Sequence, residues 1–202
     1  MLVQNGCGDP RRITAYFVEL LIKRVVDEGS QSIIHSSLGG ECMNGITLQK
    51  FDSTDFNNYF LLVSNEQVMS MITERSIPLE EAQGKFQKIL KRNENYKTFG
   101  SYKVYNHTNE FIGLGSLILN EEKNDEAEIG YMLLPQYWGK GYGSVIAEAL
   151  INKAKNTDVN RLTAIIDPKN KSSRKILLKS GFHSEKICEI EGLPGEILSR
   201  AI

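Results

Sequence analysis

In the run Pro135-Gln136-Tyr137-Trp138-Gly139-Lys140-Gly141-Tyr142-Gly143-Ser144, glycines stand at alternate positions, and Val145, Ile146, Ala149 and Leu150 follow at helical spacing. Glycines directly before a helix let the backbone approach a ligand closely. The free N–H groups of the first helical turn then face that ligand with the helix dipole behind them. The chemistry such a stretch can do is to hold an anion, a phosphate or pyrophosphate above all. Known phosphate loops narrow the choice. A Walker loop needs G-x-x-x-x-G-K-[ST], which is absent, and a dinucleotide fingerprint needs its third glycine where Ser144 stands. An ordinary tight turn with glycine at strained positions is the competing reading of these ten residues taken alone.

Such a turn needs a sheet and a core to hold it. The chain has 202 residues, 41% hydrophobic and 24% charged, which suits one well-buried globular core. A formal net charge of -1 argues against a basic face for nucleic acid. No run approaches the roughly eighteen apolar residues of a membrane span. Cys7, Cys42 and Cys188, like His35, His107 and His183, have no metal-ligand spacing, so no metal is expected. Unpaired thiols of this kind suit a reducing, cytoplasmic setting.

Asp9-Pro10 opens a helix over about 10–28 with an apolar stripe of Ile13, Tyr16, Phe17, Leu20, Leu21 and Val25. A Ser- and Gly-rich linker follows at 30–42. This divides the chain into an N-terminal appendage, 1–42, and a main domain, 43–202. The stripe can pack on the chain's own domain or on a second copy, which leaves a homodimer open. In the main domain, a strand at 46–51 leads through Asp52-Ser53-Thr54-Asp55 into a helix ending near Val63, and a second helix follows Pro78. Thr98 to Tyr105, Phe111 to Leu119 and Glu126 to Leu134 read as strands, the first two joined through the turn Asn106-His107-Thr108-Asn109. After the glycines come a helix, a strand at Arg161–Ile166 and a short helix capped by Asn170 and ended by Gly181. Strands at Phe182–Ile190 and Glu196–Ala201 flank a turn at Gly192-Leu193-Pro194-Gly195. The class is α+β, antiparallel at first and βαβ-like later.

Two segments carry a family resemblance: "AEIGYMLLPQYWGKGYGSVIAEAL", residues 127–150, and "NKSSRKILLKSGF", residues 170–182. Together they resemble the acetyl-CoA-binding core of the GCN5-related N-acetyltransferases (GNAT), and most of all the RimJ/RimL-like branch, over about residues 45 to 200. The resemblance implies the GNAT fold, a central, mostly antiparallel twisted sheet of about seven strands flanked by helices, here with an extra N-terminal helix. It implies acetyl-CoA as co-substrate, its pyrophosphate bound by backbone amides of the loop Trp138, Gly139, Lys140, Gly141, Tyr142, Gly143 and Ser144. Trp138 stands where the superfamily usually has Gln or Arg, as in the RimJ/RimL-like branch. By the same resemblance the backbone of Met132, Leu133 and Leu134 pairs with the pantetheine arm, and Asn170 reaches that arm. Lys140 and Lys175 have the charge for phosphate, and read equally well as solvated surface lysines.

Acyl transfer to an amine needs a neutral nucleophile, a polarised carbonyl and a proton for the departing thiolate. The cysteines form no nucleophile constellation, so direct attack by the amine is expected. An α-amine of pKa about 8 is roughly a tenth free base at pH 7, against under a thousandth for lysine, so N-terminal acceptors ask less of a base. Glu128 is the candidate base: on a strand it shares a face with Glu126, Gly130 and Met132, and superfamily members often place a carboxylate there. Polarity on a half-buried strand is its ordinary reading. For the proton donor, the superfamily's usual tyrosine position, seven residues after Asn170, holds Leu177. The RimJ/RimL-like alternative is Ser173, whose ordinary role is helix capping. Tyr131 and Phe182 read as core, and His183 as structural or exposed. The expected activity is acetyl transfer to a protein or peptide N-terminal α-amine. The alternatives are a small amine, such as a polyamine or amino-sugar, and a non-catalytic acyl-CoA-binding module.

Overall fold

The computed structural model describes residues 41–43 and 45–202. The helix expected at about 10–28 and the linker up to residue 40 lie outside the described residues. In chain order the elements are β1 (Glu41–Met43), β2 (Ile46–Lys50), α1 (Phe56–Val63), α2 (Glu66–Met69), α3 (Leu79–Asn95), β3 (Gly100–Asn106), β4 (Phe111–Leu119), β5 (Glu126–Leu133), α4 (Tyr142–Ala154), β6 (Arg161–Ile166), α5 (Lys171–Lys179), β7 (His183–Ile190) and β8 (Leu193–Ala201). They form one sheet in the order β1-β2-β3-β4-β5-β6-β8-β7. Every neighbouring pair is antiparallel except β5 with β6. Strands β2 to β8 are the seven expected. The three-residue β1 extends the edge and starts the sheet at Glu41, two residues ahead of Met43.

Each face of the sheet carries its own core. Ala127 and Ile129 of β5, with Tyr131 and Leu133 packed beside them, join Ile146, Leu150 and Ala154 of α4 and Leu177 of α5. Met132, together with Leu134 just past the strand, joins Tyr59, Leu62, Ala82, Phe86 and Ile89 of α1 and α3 on the opposite face. This is the period of two that a strand buried on both sides imposes. Helix α3 is tied down at its C-terminal end by Asn93, whose amide donates to the carbonyls of Phe51 and Ser101 and accepts from Ser101 N–H. Lys50 Nζ donates to the carbonyls of Asn93 and Phe99 at 3.0 and 2.9 Å, and also to that of Tyr96, which closes the same helix end.

Two local features depart from the sequence reading. Helix α2 was not anticipated: Asn65 caps it, its side chain accepting from Gln67 and Val68 N–H, and four residues are too few to display helical periodicity. The last hairpin turns earlier than expected, at Glu191-Gly192, since Ile190 already pairs with Leu193. Both turn residues have positive φ, +50° and +83°, as a two-residue hairpin requires. Pro194 and Gly195, read as turn residues, are therefore strand residues at the start of β8.

Candidate active site

Strands β5 and β6 are paired at only three positions, Glu126 with Arg161, Ala127 with Leu162 and Glu128 with Thr163. Beyond these they part. β5 continues to Leu133 held only by β4, and β6 continues to Ile166 held only by β8. The inner edges of Ile129–Leu133 and of Ala164–Asp167 therefore face each other across a cavity of about 1000 Å³, and both segments line it. Backbone groups on such an open edge are left to water or to a ligand that pairs as a strand would.

The glycine turn closes one end of this cavity. Pro135–Tyr137 form a single 3-10 turn, and Gly139 and Gly141 then adopt φ of +72° and +87°. Gly141 is the N-cap of α4 and supplies no side chain, so the N–H groups of Tyr142 and Gly143 are left for a ligand while that of Ser144 donates to Gly141 O at 3.1 Å, and Tyr142, Gly143 and Ser144 all line the cavity. Gly143 answers a different demand: a Cβ there would stand 2.8 Å from Ile176 Cδ1, so its absence lets α4 pack close to α5. Trp138, 48% exposed, swings its indole back so that Nε1 donates to the Leu133 carbonyl at 2.7 Å, occupying one acceptor at the end of the open edge.

On the far wall Asn170 caps α5, its side chain accepting from Ser173 N–H at 3.1 Å, and Asn170, Ser173 and Lys175 all line the cavity, with Lys169 and Lys171. The structure thus gathers Met132, Leu133, Trp138, Gly139, Gly141, Tyr142, Gly143, Ser144, Asn170, Ser173 and Lys175 around one space. Leu134 lies outside its wall: its side chain is buried with α1 and α3, and its N–H is taken by Ile112 O. Lys140 is not among the lining residues; its ammonium lies 5.6 Å from the centre of the Tyr137 ring, a cation–π contact.

Glu128 is placed more deeply than a half-buried strand suggests. It is 6% exposed, Oε1 has no hydrogen-bond partner, and its carboxyl sits behind the cavity wall on the α3 side. Burial pushes its pKa up to about 8, and the charge of Arg92 offsets part of that rise. Tyr131, read as core from sequence, does pack on the core but also lines the cavity. The cavity's other rim consists of residues that sequence reasoning missed: Glu66, Gln67, Ser70, Met71, Ile72 and Glu74 around α2, facing Ile190, Leu193 and Pro194 of the last hairpin. The capping Asn65 was the available signal for the first group. His183 is 70% exposed and lies 3.3 Å from Ser199 Oγ, which in turn donates to Glu185, outside the cavity. With the carboxylate on the serine, this is not a nucleophile–base–orienter arrangement.

A family model described as an acetyltransferase (GNAT) domain matches residues 46–183. The chain belongs to the GNAT acetyltransferase family. It is 23% identical over 169 residues to the uncharacterized N-acetyltransferase YoaA of Bacillus subtilis, covering 83% of this chain and 81% of that one. To the uncharacterized protein YkkB of the same organism it is 35% identical over 81 residues, 39% of this chain, and it spans only about half, 47%, of that relative. Among solved structures, the spermidine N-acetyltransferase of Vibrio cholerae in complex with CoA and spermine superposes with a TM-score of 0.67 at 16% identity, over 79% of this chain and 96% of that one. RimL, the ribosomal L7/L12 α-N-protein acetyltransferase in complex with CoA, does so with 0.66 at 19%, over 79% and 96%. These two share the fold. Among the described residues no helix is long and apolar enough to cross a membrane.

Two outcomes follow for this GNAT domain. Gly141→Ala places a Cβ at φ +87° and is expected to cost about 1–2 kcal/mol in urea unfolding; an unchanged midpoint would mean the loop relaxes freely. For Glu128, the folded pKa of about 8 lies above the ordinary 4.5, so the fold prefers the protonated carboxyl. Stability then falls as pH rises from about 4.5 to 8 and levels off above. Urea titrations at pH 5 and pH 8 should show a larger fall for wild type than for Glu128→Gln; equal falls would place the carboxyl in a wetter site.

Proposed function

We infer that this chain transfers the acetyl group of acetyl-CoA to a primary amine, the free amine attacking the thioester directly. The observation that carries the reading is the meeting, in one cavity, of the uncapped first turn of α4 and the unpaired edge of β5. The first suits a pyrophosphate. The second suits an extended arm carrying amide groups, such as pantetheine, lying along Ile129–Leu133 as an added strand would. Lys169, Lys171 and Lys175 put positive charge on the wall where the remaining phosphate would sit.

Acetyl-CoA supplies the activated thioester, and the chain holds it, orients the amine and moves protons. Glu128 accepts the amine proton. Since its carboxyl lies behind the wall, the proton reaches it through an intervening group and not by direct contact. A pKa raised to about 8 makes it a base matched to an α-amine of pKa about 8. This match supports a protein or peptide N-terminus as acceptor, in line with the RimJ/RimL-like branch and the likeness to RimL. A small cationic amine is the second reading. It is favoured by Glu66 and Glu74 on the α2 rim of the same cavity and by the likeness to spermidine N-acetyltransferase.

Trp138 is the only tryptophan in the chain, so its emission reports on the loop directly. CoA titration should change that emission saturably, and inorganic phosphate at the same concentrations should not. Thiol release from acetyl-CoA is then measured over a panel of N-terminal peptides, polyamines and amino-sugars. Saturable binding without turnover on any of them would point to an acyl-CoA-binding module, and absence of binding would sink the reading. With a turned-over acceptor, the rate should climb through about pH 8 as Glu128 ionises. In Glu128→Gln it should be at least tenfold lower and lack that limb; a variant that keeps the wild-type profile removes Glu128 from the mechanism.

A further inference from the structure

The packing of Tyr131 accounts for its ring and not for its hydroxyl. The ring lies in the β5 wall, its Cε2 3.6 Å from where a Cβ on Gly143 would stand, among the residues packed on the main core. The hydroxyl is shut off from solvent and makes no hydrogen bond. A phenylalanine would fill the same space without burying an unpaired polar group, which costs stability. Burial pushes the phenol up to about 12, and the polar side chain that acts against this shift is Ser173.

Ser173 arrives from the opposite side of the cavity. Its backbone is fixed by the Asn170 cap, in the first turn of α5, and the residue lines the cavity. Leu177, one turn further on, is fully buried and has no proton to give. The two hydroxyl-bearing residues thus line one cavity from β5 and α5 at the place where the strands diverge, with no hydrogen bond formed between them. Bonds of this kind are often long without substrate and tighten in the reacting complex.

We propose that Tyr131 is a positioning residue for Ser173, holding the serine hydroxyl toward the departing sulfur and passing it a proton. The proposal rests on the transfer reading above. As the amine nitrogen forms the C–N bond, the C–S bond breaks with its electron pair on sulfur. Sulfur takes the Ser173 proton and Ser173 takes the Tyr131 proton; the amine proton passes to Glu128 and on to solvent, and once the thiol has left, a proton from solvent returns to Tyr131 through Ser173, which lines the cavity. The products are the amide and the CoA thiol, with nothing else consumed.

The test compares Tyr131→Phe, Ser173→Ala and the double variant in the full chain, by thiol release and thermal unfolding. Tyr131→Phe should keep or raise Tm, since the unpaired hydroxyl is gone and the ring remains. Its kcat should fall 10- to 100-fold with KM for acetyl-CoA within twofold of wild type. Because the two residues act in series, the double variant should lose less than threefold beyond the worse single one. Full rate in Tyr131→Phe, a rate loss that tracks a lowered Tm, or independent losses that multiply in the double variant would each overturn the proposal. A wild type that turns over while Tyr131→Phe is unaffected sinks this proposal alone; a wild type that binds CoA but acetylates nothing sinks the transfer reading and this proposal with it.

Discussion

The constraint on which the site depends is the unfinished pairing of β5 with β6. Backbone N–H and C=O groups must find partners, and a sheet that stops pairing in its middle leaves two facing edges open. The sheet tolerates this because each strand keeps its outer neighbour over the parted length, β5 against β4 and β6 against β8. The parting is thus a feature of the middle of the sheet, where a barrel or a fully paired sheet would leave no entry. The chain itself satisfies one acceptor there, through the Trp138 indole on Leu133 O. The other edge groups of Ile129–Leu133 face the cavity, and a ligand that offers amide groups in register has most to gain there.

A strand with an open edge and two covered faces also separates the two buried titrating groups. Odd positions of β5 point to α4 and α5, where Tyr131 and Ser173 approach one another. Even positions point to α1 and α3, where Glu128 is buried near Arg92. Both titrating groups are shifted upward by burial, to about 12 and about 8. Between pH 8 and 12 the phenol therefore keeps its proton while the carboxyl has given its own up. Burial brings the two values closer together than the ordinary 4.5 and 10, yet leaves a range in which one group holds its proton and the other does not, as the transfer reading requires of a donor and an acceptor.

Much of this was legible in the sequence wherever the cause was local. The bounds of β4 and β6 follow from alternation and flanking turn residues, and Asn170 announces the helix it caps through its own side chain. What was hidden depended on distant packing. Alternation identified Glu128 as polar on one strand face, but only the arrival of α3 turns that face into an interior. Nearer at hand, the Lys140 ammonium rests over the Tyr137 ring, a contact that charge and spacing alone do not announce. Pro194 and Gly195 look like a turn because the real turn contains Glu191 in a left-handed conformation, which glutamate seldom adopts. That misplacement concealed a rim of the cavity, since Leu193 and Pro194 line it as strand residues.

The three alternating glycines are two constraints in one spacing. Gly139 and Gly141 serve the backbone: their positive φ values turn the chain from the 3-10 turn into α4 with its amides leading. Gly143 has ordinary helical geometry and serves packing, because any side chain there would meet Ile176. Close packing of α4 on α5 sets how near the Asn170 cap and Ser173 stand to the loop and to Tyr131, whose ring touches the same glycine. A side chain at position 143 would therefore leave the positive-φ turn at Gly139 and Gly141 as it is and still press α5 away from α4. Turn geometry and helix packing are separable here because different glycines of one motif govern them.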